Sequence, residues 1–160
     1  MACLETKIPP PIWMLMHIGL EVAISVPVDD HVLKFTDSDT RSWRTVLAVL
    51  IGLASFAIMG AGISLFKRFG TTVSPLTPEE SSVLVTSGIY RFTRNPMYVG
   101  MVGILIAVAV ALGDAVPLLV GPTLYVLIVT RLQIIPEELM LKDIFGDEYV
   151  AYCRQTRRWI

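Results

Sequence analysis

The sequence predicts an all-α, polytopic integral membrane protein. It has about four transmembrane helices, two of them forming a helical hairpin, and a cytoplasmic C-terminal helical segment. Three observations predict this. The 160 residues are 54% hydrophobic and only 17% charged, against roughly 45–50% and about 25% in a soluble domain. Thr45 to Phe66, TVLAVLIGLASFAIMGAGISLF, runs 22 residues without a charge; as a helix it reaches about 33 Å, enough to cross a bilayer. A second apolar stretch, Met97 to Thr130, is divided at Gly113-Asp114. The length suits a single membrane domain, 1–160.

The first apolar segment, 8–28, contains His17 and Glu21. Polar groups inside a bilayer are costly. Four residues apart on a helix, these two share a face, which is expected against other helices or at the boundary. An interfacial helix is the alternative. The N-terminus lacks the n-region, apolar h-region and cleavage site of a secretory signal, so the segment is expected to stay in the mature protein. The second span is 45–66. The third and fourth, 97–113 and 115–130, are at the short end of spanning length, and Gly113-Asp114 reads as a tight turn joining them. One continuous 34-residue helix is the alternative; the Gly-Asp pair, Pro117 and Pro122 oppose it.

Basic residues orient the chain. With four spans, Lys7, Lys67, Arg68, Arg91, Arg94, Arg131, Lys142, Arg154, Arg157 and Arg158 fall on one side, and Lys34, Arg41 and Arg44 on the other. The side richer in Lys and Arg is cytoplasmic, which places both termini and the segments 67–96 and 131–160 there, in an inner membrane. The tail mixes Leu139, Ile144, Phe145, Tyr149 and Tyr152 with charged residues at roughly helical spacing, so it should fold over the 67–96 segment. The net charge of −1 gives no case for nucleic acid. Cys3 and Cys153 show no metal-ligand spacing and read as ordinary thiols. No dinucleotide or phosphate loop, metal pattern or Ser-His-Asp arrangement is visible.

Two places carry chemistry. Asn95, the chain's sole asparagine, is a favoured N-cap, and Pro96 a favoured first helical residue. That explains the pair structurally, but a helix start also presents free N–H groups to an anion. Arg91 and Arg94 fit a carboxylate or phosphate there, or simply fix topology. Gly100 and Gly103 allow close approach of a helix or ligand. After Pro136, Glu137-Glu138 suit the start of a tail helix, or hold an ammonium or ribose hydroxyls. Tyr90, Tyr98, Tyr149 and Tyr152 also suit interfacial anchors.

The segments LVTSGIYRFTRNPMYVG and PEELMLKDIFGDEYVAY, with about 35 apolar residues between them, resemble the isoprenylcysteine carboxyl methyltransferase and phospholipid N-methyltransferase superfamily. That pattern runs Ser-Gly-x-Tyr, Arg-His-Pro-x-Tyr-x-Gly, a helical hairpin, Glu-Glu, then Phe-Gly-x-Glu-Tyr-x-x-Tyr. The resemblance covers about residues 75–160. It implies an integral membrane methyltransferase with S-adenosylmethionine as methyl donor, bound on the cytoplasmic side. The acceptor it implies is lipophilic: a prenylcysteine-like carboxylate, a phospholipid amine or another small lipophilic molecule. By carry-over, Leu84, Val85, Tyr90, Asn95, Pro96, Met97, Tyr98 and Glu137 contact the cofactor, and Glu138 is the weaker member of its pair. Asn95 replaces the usual histidine and cannot titrate. Gln133 replaces the arginine that in prenylcysteine-specific members precedes the cofactor glutamate by four residues. Arg131 stands as its substitute, and Glu138 or water as acceptor of an amine's proton. The competing readings are a sterol-reductase-like enzyme using NADPH and a non-catalytic scaffold or transporter subunit.

Overall fold

A computed structural model describes residues 8–25, 38–70 and 83–160. Cys3, Lys7, Lys34, the end of the first expected span at 26–28 and the SPLTPEE stretch at 74–80 lie outside the described residues. Every regular element among those described is helical.

Helix α1 spans Pro10–Ser25, its prolines confined to the first turn, where no intrahelical N–H bond is lost. Its buried residues Pro10, His17, Glu21 and Ser25 lie on one face, as four-residue spacing requires. Helix α2 spans Ser38–Phe69, longer than the apolar run 45–66. Nothing in 38–44 breaks a helix, and the end comes at Gly70, whose φ is 64°. Helix α3 spans Pro96–Leu112 and α4 Ala115–Val129. The expected turn lies between them. Gly113 takes the left-handed conformation (φ 69°), its N–H donating to the carbonyls of Ala109 and Val110. Asp114 then caps α4, its Oδ1 accepting from Val116 N at 2.9 Å.

The next junction differs from the sequence reading, which ends a span at 130 and starts a separate tail helix. A π-helical turn at Thr130–Ile134 carries α4 straight into helix α5, Ile135–Gln155, with no break before Gly146. The cause is Pro136. A proline lacks an N–H and its ring blocks the carbonyl four residues back; one wider turn ahead of it relieves both without ending the helix. The bend comes later, at Gly146 (φ 52°, ψ −126°), a conformation open to glycine alone.

Two helices are long and apolar enough to cross a membrane, Arg41–Phe69 and Ala115–Gln155; Pro96–Leu112 is shorter. α3 packs against α2 on one side and against α1 and α4 on the other. The α2–α3 seam is close because Gly100 and Gly103 lack side chains: a Cβ at Gly100 would stand 2.8 Å from the Ser55 carbonyl oxygen, and one at Gly103 would meet the Ser55 hydroxyl. Small residues at a seam let helices gain dispersion contacts without a hydrophobic drive. These glycines therefore serve helix packing. The core joins Tyr98, Met101, Leu105, Tyr125, Val129 and Ile134, with Trp13, Met14 and Ile18 of α1 against it. His17 meets Tyr125 edge-on at 5.4 Å, and Glu21, fully buried, packs on Gly121 of α4. Along α2, Val46, Val49, Leu50, Leu53 and Phe56 form an exposed apolar stripe, which suits hydrocarbon.

Candidate functional site

The two motif segments meet at the start of α3. The chain enters through a 3₁₀ turn at Gly88–Arg91. Gly88 has φ 59°, and Leu65 of α2 occupies the space a Cβ would need, so glycine is required there. The turn buries Tyr90 against Phe66, ring centroids 5.3 Å apart, and the Tyr152 hydroxyl donates to the Tyr90 carbonyl at 2.7 Å. Thr93 Oγ1 then accepts from Asn95 N at 3.1 Å, and α3 begins.

A cleft opens between these residues and α5. It is lined by Phe66, Val83, Leu84, Val85, Tyr90, Arg94, Asn95, Glu137, Glu138, Leu141, Tyr149 and Tyr152. Six of the ten sequence-derived candidates, Leu84, Val85, Tyr90, Asn95, Glu137 and Glu138, are on its wall. Tyr98 stands one hydrogen bond behind, its hydroxyl donating to Glu137 Oε1 at 2.8 Å. Pro96 and Met97 instead pack toward Gly62 of α2. Arg131 is exposed on the π turn and does not line the cleft. Gln133 is buried and donates from Nε2 to the Ile8 carbonyl at 2.8 Å.

The adjacent glutamates differ in surroundings. Glu138 accepts Arg158 through both oxygens, at 3.0 and 2.6 Å, and Arg94 Nη2 at 2.7 Å. Burial works against its charge, but the hydrogen bonds from Arg158 and Arg94 outweigh it and hold the carboxyl below its ordinary range, leaving it a weak proton acceptor. Among the described residues, Glu137 has no cationic partner of that kind. Burial pushes it up to about 7, the hydrogen bond from Tyr98 offsets part of this, and the charge on Glu138 adds to it. Burial also raises Tyr90, Tyr149 and Tyr152, so these phenols stay neutral.

Asn95 occupies the N-cap position, yet its side chain makes no capping hydrogen bond. This corrects the expected role. Its Nδ2 donates to the Arg158 carbonyl at 3.0 Å. Two polar atoms of residues that line the cleft, Tyr90 OH and Arg94 Nε, are buried with no hydrogen-bond partner among the described residues.

The family profile described as phospholipid methyltransferase matches residues 43–148, about two-thirds of the chain. The chain belongs to the phospholipid methyltransferase family. An uncharacterized protein of Haemophilus influenzae is 38% identical to it over 64 residues, 40% of this chain and the whole of that protein. No solved structure matches.

Seen as a phospholipid methyltransferase family member, the chain is a membrane protein whose cleft residues Leu84 to Glu138 lie inside the matched region, whereas Tyr149, Tyr152 and Arg158 lie beyond it. Sequence reasoning missed Arg158 as a site residue. Its one signal is charge: a basic run, Arg154-Gln155-Thr156-Arg157-Arg158, that follows an acidic pair and is counted above only toward orientation. Phe66 was missed too, as the last residue of an apolar span.

Proposed function

We propose that the protein is an S-adenosylmethionine-dependent methyltransferase acting on a lipophilic acceptor at the membrane. The observation that carries this is the cleft: Glu137, held by Tyr98, beside an Arg94–Glu138–Arg158 ion cluster at the uncapped start of a helix. These residues fit the cofactor. Its amino-acid carboxylate suits the uncapped N-terminus of α3 and the unpartnered Nε of Arg94, where donors and a partial positive charge converge. Its ammonium or ribose hydroxyls suit Glu137, and its adenine suits the walls of Leu84, Val85 and Phe66. Bound there, it supplies an electrophilic methyl group on a sulfonium.

What the chain contributes is position and a dry environment. In-line displacement gains most from fixing the donor and acceptor and from excluding water. Neutral Tyr90, Tyr149 and Tyr152 give the cleft aromatic faces that suit a cationic sulfur. With Glu137 engaged by the cofactor, water is the group left to take the proton of an amine acceptor. Glu138, clamped by two arginines, positions its neighbour instead. Arg131 is assigned no part at this cleft. We further read four spans, 8–28, 45–66, 97–113 and 115–130, with both termini and the cleft on the cytoplasmic side; the acceptor then arrives from the bilayer while the donor arrives from the cytosol.

The test is direct binding. Purified protein in detergent is expected to bind S-adenosylmethionine and not NADPH, and Glu137→Ala is expected to lower that affinity at least about a hundredfold, since an ion pair and a positioned hydrogen bond are lost together. A protein of normal helix content that binds no S-adenosylmethionine would sink the reading.

A further inference from the structure

The residues after α5 make no wall of the cleft, yet they hold three residues that do. Thr156 leaves the helix in an extended conformation, and the chain runs back beside the start of α3. Arg94 N donates to the Arg157 carbonyl at 3.0 Å, and Arg94 Nη1 to the Thr156 carbonyl at 2.6 Å. Asn95 Nδ2 donates to the Arg158 carbonyl, as does Thr93 Oγ1 at 3.3 Å. The Arg158 guanidinium grips Glu138 at both oxygens, and Trp159 Nε1 reaches Thr130 Oγ1 in the π turn at 3.3 Å. Residues 156–159 thus tie together the start of α3, the start of α5 and the π turn.

We infer that this segment is a strap that sets the cofactor cleft, with Arg158 and Asn95 as its two positioning residues. The inference rests on the cofactor reading above. Arg158 acts through Glu138: a bidentate guanidinium–carboxylate pair fixes both the distance and the rotation of its partner, and fixing Glu138 fixes the turn of α5 that aims Glu137 at Tyr98. Asn95 acts through the backbone: its amide N–H holds the strap against the start of α3 and makes no cap of its own helix. Position 95 on this view needs a side-chain N–H donor long enough to reach the Arg158 carbonyl. An asparagine provides one, a neutral histidine provides one, and titration has no part in it.

Helix capping and strap-holding make opposite demands on position 95. Serine caps as well as asparagine, but its hydroxyl is too short to reach the strap. The experiment measures S-adenosylmethionine affinity for the full chain in detergent, with thermal midpoint and helix content recorded alongside. Arg158→Ala is expected to raise Kd about tenfold and Arg158→Lys about threefold, because lysine keeps the charge without the bidentate geometry. Asn95→Ser is expected to raise Kd about tenfold, and Asn95→His by clearly less. Variants with lowered thermal midpoints but wild-type Kd at a temperature where they are folded overturn the inference, as does Asn95→Ser binding as tightly as Asn95→His. A wild-type chain that binds no S-adenosylmethionine overturns the cofactor reading itself, and this inference with it.

Discussion

The two ends of α3 solve the same problem in opposite ways. At its C-terminal end, Gly113 donates back to Ala109 and Val110, and Asp114 caps the next helix; the turn satisfies itself with its own residues. At its N-terminal end, the residue best suited to cap gives its amide to a segment 63 positions away, so that end is tied by a distant part of the chain. Backbone groups closed locally build a scaffold, and those left open at a cleft are where a ligand can be gripped.

That contrast can be broken at either end. The largest expected effect is on the scaffold. Gly113→Ala places a Cβ in a left-handed residue and against the Arg44 guanidinium; it should lower stability by about 2 kcal/mol, read from denaturation in detergent. Cofactor affinity of the folded fraction should not change. A large loss of affinity there would mean that the two ends are not separable.

The next effect belongs to the cleft. With Glu137 pushed up to about 7, affinity for a cationic ligand should fall about tenfold per pH unit below that point and level off above it. Glu137→Gln should flatten the profile. Stability should run the other way. A carboxyl raised by burial binds its proton more tightly in the folded state, so this contribution is complete below about 4.5 and is lost as pH rises through about 7. Parallel pH trends in binding and stability would refute the assignment to Glu137. The smallest effect is Asp114→Ala, which removes an N-cap and should cost about 1 kcal/mol of stability without altering the pH profile of binding.

The hairpin turn was legible because it depends on residue chemistry alone: a glycine that can turn left-handed, then an aspartate that can cap. The meeting of Leu84, Tyr90, Asn95 and Glu137 was legible only as a resemblance, since nothing in spacing brings residues 50 apart together. Two things were not legible. Arg131 and Pro136 read as the end of one helix and the start of another, whereas a π turn absorbs the proline and keeps the rod whole. Asn95 reads as a cap because capping is a local rule, while its partner, the Arg158 carbonyl, is chosen by tertiary packing.

The unbroken run from α4 into α5 has a mechanical consequence. If 115–130 spans the bilayer as proposed, a membrane too thick or too thin for α4 tilts the start of α5 with it, and Glu137 moves against Tyr98, which belongs to a different helix. Hydrocarbon thickness would then be an input to the site, felt through the geometry of one hydrogen bond.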